Sequence, residues 1–149
     1  MGFPGETDAD FEASLALLEQ ARFENSFSFL FSPRPGTVAA QRVNGSPEWA
    51  EVPRDVAVER LERLQAVQRR IVAETLAAAV GREVEVLVEG PSEDPARRAG
   101  RTPENRVVHF AADEADAPTG ALVRARALRA HSSSLAGELI GAAGRCARG

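Results

Sequence analysis

The hydrophobic pattern of this chain changes period at one glycine, and that change sets what each half can fold into. Between Asp55 and about Val80, Leu61, Leu64, Val67, Ile71 and Leu76 fall near one face of a 3.6-residue repeat, with arginines and glutamates elsewhere. Gly81 is a fitting stop for such a helix. Beyond it the period is two: Val84, Val86 and Val88 alternate with Glu83, Glu85, Leu87 and Glu89. Residues 106–111 form a second clear strand pattern. Residues 121–128 put Leu122, Arg124, Arg126 and Leu128 on one face and Val123, Ala125 and Ala127 on the other. A last strand is expected over 132–139, with 140–149 a frayed tail. Short strands split by Gly- and Pro-rich turns predict a small antiparallel barrel.

The first half reads differently. Thr7 and Asp10 have the spacing of a capping box, and Phe11, Leu15, Leu18 and Ala21 then line one face of a helix ending near Arg22. In 26–31, Ser26, Ser28 and Leu30 alternate with Phe27, Phe29 and Phe31, which predicts a strand with one strongly apolar face. Pro33, Pro35 and Gly36 force a rigid loop after it. Turn, helix, strand and loop make the repeating unit of an α/β barrel, although one unit cannot close a barrel. Residues 44–53 read as a linker, within which Trp49 is placed to pack an interface.

Composition excludes several classes. One cysteine, Cys146, rules out an internal disulfide framework and reads as a free thiol in the tail. No apolar run approaches the ~20 residues of a membrane span, and the first residues lack the basic and apolar regions of a secretory signal. A soluble, cytoplasmic protein without membrane contact is expected. The net charge of −4 argues against a nucleic-acid footprint over the whole molecule. The charge is unevenly spread, however, because 97–110 holds Arg97, Arg98, Arg101 and Arg106 against Glu104 alone. Every basic side chain other than histidine is arginine, whose planar fork suits phosphates and bases. Arg101 and Arg106 bracket a turn in which Asn105 offers both a donor and an acceptor. They could equally be a solvated face, with Asn105 only capping the turn. His109 and His131 have no acidic or cysteine partner at ligand spacing and read as strand-packing or surface residues. No catalytic constellation and no metal site stands out.

Three segments resemble a known family. They are Gly2-Phe-Pro-Gly-Glu-Thr7, Phe27-Ser-Phe-Leu-Phe-Ser-Pro-Arg-Pro-Gly-Thr37 and Gly100-Arg-Thr-Pro-Glu-Asn-Arg-Val-Val-His-Phe110. Together they resemble the C-terminal part of the radical-SAM tRNA methylthiotransferases. Gly81–Glu89, Gly120-Ala-Leu-Val-Arg124 and 130–138 extend the likeness to a TRAM domain, a small OB-like RNA-binding barrel found at the end of these enzymes. The Gly100–Phe110 segment looks most like the branch acting on isopentenylated adenosine 37 of tRNA.

The resemblance implies an α/β remnant, part of a radical-SAM TIM-type barrel, followed by a small all-β OB-like TRAM barrel. The expected domains are 1–53 for the barrel remnant and linker, 54–80 for a connecting helix, 81–139 for TRAM and 140–149 for the tail. It implies RNA contacts from Arg101, Asn105, Arg106, Arg124 and Arg126. It also places Gly2, Pro4, Gly5, Glu6, Arg34 and Thr37 near the substrate and S-adenosylmethionine. The implied partner is tRNA, at its anticodon stem-loop, together with the missing N-terminal half of the enzyme. The family uses S-adenosylmethionine and [4Fe–4S] clusters held by cysteine thiolates. With one cysteine, this chain is expected to retain neither cofactor alone and to be inactive by itself. Two other readings stay open: a freestanding RNA-binding module without catalytic activity, and a non-functional remnant.

Overall fold

The computed structural model describes residues 1–43 and 45–142. They form two compact units, Met1–Ile71 and a second beginning at Val72.

In the first unit, helix α1 (Asp8–Ala21) starts at the expected capping box. The Thr7 amide donates to Asp10 Oδ2 at 2.9 Å, and the Asp10 amide donates back to Thr7 Oγ1 at 3.2 Å. Hydrogen bonds from the Thr7 hydroxyl and then its amide hold the Asp10 carboxyl below the usual carboxylate range. Arg22 closes the helix in a left-handed conformation, its amide donating to the Leu18 carbonyl. Phe11 and Leu18 pack against Leu64 and Ile71 of helix α3 (Arg54–Ala79), with Leu15 and Val67 at the margin. Ala21, placed on the same face by spacing, is exposed because the chain turns away one residue later.

Two buried polar side chains of α3 were not legible in the apolar pattern. Arg60 donates to Glu6 Oε1 at 2.8 Å and to Asp8 Oδ1 at 2.6 Å, while lying over the Phe11 ring. The hydrogen bond to Asp8, and against burial also Glu6, raises its pKa above the usual arginine value. Gln68 donates to the Phe23 carbonyl and accepts from the Ser26 hydroxyl, both at 2.8 Å. Both groups are thus satisfied, as buried polar groups must be.

The strand expected over 26–31 is not formed. A strand exists only through pairing, and among the described residues the backbone pairing here is with Met1. The Met1 amino group donates to the Phe29 carbonyl at 2.7 Å and the Phe31 amide donates to the Met1 carbonyl at 2.8 Å. That is the hydrogen-bond pattern of one parallel bridge. Phe31 packs edge-on against Phe3, but Phe27 and Phe29 are 85% and 73% exposed. The expected linker is also better ordered than its composition implies. It holds a 3₁₀ turn (Pro47–Trp49), helix α2 (Val38–Arg42) lies just before it, and Trp49 packs on Phe3 beneath Arg42.

The second unit is a closed five-stranded barrel in the order β1-β2-β3-β5-β4. Its strands are β1 (Glu83–Pro91), β2 (Arg97–Arg101), β3 (Val107–Ala111), β4 (Leu122–Ala130) and β5 (Ser134–Ala142). The barrel is not wholly antiparallel, because β3 and β5 run parallel and close it. Strand β5 also runs into the expected tail. Val86, Val88, Val108, Phe110, Val123, Ala125, Ala127 and Leu135 fill the interior, joined by Leu76 and Ala79 from the end of α3. Strand β2, Arg-Arg-Ala-Gly-Arg, has almost no apolar alternation to announce it. It forms because both neighbours offer ladders and because Gly100 lets β1 approach. A Cβ there would overlap the Leu87 carbonyl and lie 2.6 Å from Val86 Cγ1. Arg98 is buried rather than part of a basic surface. Its guanidinium donates to the Ala117 carbonyl at 3.1 Å and Thr119 Oγ1 at 2.7 Å, and pairs with Glu114. Arg98 therefore pins the loop between β3 and β4 over the barrel.

Replacing Arg60 by alanine should lower the stability of the first unit by about 1.5–3 kcal/mol, the range for charged hydrogen bonds lost from a buried site. Hydrogen exchange on the full chain should show that loss in α1 and not in β1–β5. Equal losses in both would assign Arg60 a different role.

Candidate nucleic-acid interface

The turn joining β2 to β3 is held by its own backbone, with the Arg106 amide also donating to the Thr102 hydroxyl. The Thr102 amide donates to the Arg106 carbonyl at 3.0 Å, and the Asn105 amide donates to the Thr102 carbonyl at 2.8 Å. Asn105 takes a left-handed conformation, φ 67°, which its short polar side chain tolerates better than most. Its Oδ1 accepts from Arg101 Nη1 at 2.9 Å, while Arg101 Nε pairs with Glu89 at 3.1 Å. Glu104 is held below the usual carboxylate range by the Thr102 hydroxyl first, then by its own amide and the charge of Arg106. Asn105 thus performs the capping role and orients a guanidinium as well.

Arg124 and Arg126 stand on the outer face of β4. Arg126 reaches Glu83 at 3.1 Å and Glu138 at 3.5 Å, and Arg124 lies 4.0 Å from Glu83. Strand β1 lies between these arginines and Arg101. Its residue Leu87 is in register with Arg101 on one side and Leu122 on the other, and Glu85 is in register with Arg124. The outer face of β2-β1-β4 therefore presents three expected RNA contacts, Arg101, Arg124 and Arg126, interleaved with carboxylates. The net positive run counted along the sequence does not become a bare cationic field. Such exposed pairs are each worth only about 0–1 kcal/mol, so a phosphate could exchange for a carboxylate at little cost.

A second cluster escaped the sequence reading. The face of β2-β3-β5 carries His109, with Ser92 Oγ 2.9 Å from its Nδ1. A shallow depression of about 460 Å³ there is lined by Ser92, Asp94, Arg97, His109, His131 and Ser134, among others. Nothing in a single sequence joins residues 92, 109 and 131; the β1–β2–β3 ladders bring Ser92 to His109, and the parallel β3–β5 pairing brings the turn with His131.

The residues expected near a substrate in the first unit are only partly gathered. Gly2 and Pro4 line a cleft of about 160 Å³ with Phe31, Pro33 and Ala57. Gly5 (φ 86°) is needed where a Cβ would overlap the Glu48 carbonyl. Glu6 accepts from the Gly2 amide at 2.8 Å as well as from Arg60, so its carboxylate anchors the turn. Thr37 caps α2, its hydroxyl accepting from the Ala40 amide and donating to the Arg34 carbonyl. Arg34 is exposed and lines neither cleft.

An iron–sulfur cluster of the kind held by thiolates does not fit this donor set. The sequence has one cysteine, and Cys146 lies outside the described residues. Among the described residues, no three His, Cys, Asp or Glu side chains converge as metal ligands.

A closed five-stranded sheet with arginines on its outer face is a small β-barrel. In agreement, residues 77–140 match the TRAM domain family, so the chain carries a TRAM domain. Over 137 residues, 92% of its length, the chain is 73% identical to a tRNA-2-methylthio-N(6)-dimethylallyladenosine synthase of Anaeromyxobacter sp. (strain Fw109-5). It is 51% identical over 141 residues to the protein of that name from Myxococcus xanthus, and 43% identical over 143 residues to that from Burkholderia mallei. The chain spans about 30% of the length of these curated relatives, matching their C-terminal region.

Changing Asn105 to glycine should leave thermal stability of the full chain within about 0.5 kcal/mol, since glycine takes φ > 0 freely. Asn105→Val should lose about 1–2 kcal/mol, the penalty for a bulky residue in that conformation. Equal melting of the two variants would show that the turn relaxes away from φ 67°.

Proposed function

We propose that this chain is the tRNA-binding C-terminal portion of a methylthiotransferase that modifies N6-isopentenyl-adenosine 37, acting in the cytoplasm. The observation that carries this reading is continuity: one alignment at 73% identity runs through 92% of the chain and so through both units. The barrel supplies RNA contacts through Arg101, Asn105, Arg106, Arg124 and Arg126, and its natural target is the anticodon stem-loop. The first unit is the last segment of a radical-SAM α/β barrel. Its parallel bridge at Met1 and the exposed Phe27 and Phe29 support that, because both are what an inner strand shows without its neighbours. Cluster cysteines and S-adenosylmethionine chemistry then belong to the remaining length found in the relatives. The chain alone binds tRNA without modifying it.

The test is a tRNA titration of the full chain at several salt concentrations. Binding should weaken steeply with salt, and Arg101→Ala should lower affinity and flatten the log–log slope by about one phosphate contact. An unchanged slope in that variant would return Arg101 to a surface ion pair with Glu89.

A further inference from the structure

The β2-β3-β5 face is built differently from the arginine-bearing face of β2-β1-β4. Register places Ala99 of β2 and Ala136 of β5 directly beside His109 of β3. Cross-strand partners share one face of a sheet, so the imidazole stands between two methyl groups. The ring is half-buried, and the Ser92 hydroxyl at 2.9 Å from Nδ1 fixes its orientation. One row away stand Arg97 with Glu138 on one side and Arg101 with Ser134 on the other.

The depression over this ring is not a phosphate site. Its lining holds one arginine, Arg97, against Glu93 and Asp94, and Asp94 lies 3.5 Å from the Arg97 guanidinium. Two carboxylates thus outnumber the single guanidinium in this lining, which disfavours a phosphate. A neutral planar group meets no such penalty. Unpaired bases are held in small barrels by stacking on aromatic side chains, histidine included. The β2–β3 face and the loops after β1 and β4 are where OB-type barrels meet oligonucleotides. Here those loops deliver Ser92 and His131.

We propose that His109 is a base-stacking platform that takes one unpaired nucleobase of a bound RNA, with Ala99 and Ala136 keeping the ring face open and Ser92 holding it in place. This rests on the RNA-binding reading above. It divides the labour between two faces: guanidinium forks take the backbone, and the imidazole takes a base.

The experiment is fluorescence anisotropy with the full chain, tRNA and a short unstructured RNA oligomer, at several salt concentrations. His109→Ala should weaken oligomer binding by about fivefold or more, the lower end for loss of one stacked base. His109→Phe, which keeps a π-face, should bind within about twofold of the unsubstituted chain. Both should keep its salt slope, because stacking releases no counterions. The proposal falls if His109→Ala binds as tightly as the unsubstituted chain, or if His109→Phe binds as weakly as the alanine variant while melting normally. An unsubstituted chain that binds neither RNA would overturn the RNA-binding reading and this proposal together.

Discussion

Barrel closure by the parallel β3–β5 pair is the constraint on which the second unit depends. A five-stranded sheet left open would expose two edges and split its small interior. Closing it brings backbones so near that inward positions must be small at particular places. Gly137 is one, where a Cβ would come 2.8 Å from the Arg126 carbonyl, and Gly100 is another. Closure also orders the surface. It adds Ala136 to the row of Ala99 and His109, while the β1 ladders set Arg101 on one face with Arg124 and Arg126.

How far the sequence could be read follows from which interactions are local. The capping box at Thr7 and Asp10 is complete within four residues and was legible, as was the α3 stripe of Leu64, Ile71 and Leu76. Strand β4 was legible because its alternation encodes burial: Val123, Ala125 and Ala127 are inside, and Leu122, Arg124, Arg126 and Leu128 outside. Strand β2 was not, since Arg98 occupies an inward position that alternation reserves for apolar residues. The 26–31 segment failed in the opposite sense. Its alternation is strong, but alternation measures how well a strand would pack, and pairing needs a neighbour.

The candidate site divides along the same line. That Arg101, Asn105 and Arg106 flank a turn is written in their spacing. Their electrostatic state is not written there, because the partners Glu89, Glu83 and Glu138 lie on other strands. Arg98 shows the risk of counting charge along the chain. It adds to the basic run from 97 to 110 on paper, yet it is spent tethering the loop that holds Ala117, Thr119 and Glu114.

The paired arginines raise the question of whether a surface so balanced can grip a polyanion. Free arginines would give stronger long-range attraction, but their long side chains would have to be ordered on binding. In this barrel that ordering is already done: Arg101 is held between Glu89 and Asn105, and Arg126 between Glu83 and Glu138. The carboxylates are exposed, so releasing them to water is cheap and the guanidinium remains poised. Such a face selects by position more than by charge density. An RNA whose phosphates match the spacing of the forks can exchange several pairs at once. An RNA that matches one fork gains little over the glutamate it displaces. On the RNA-binding reading proposed above, affinity then depends on shape, which suits a folded RNA more than an arbitrary nucleic acid.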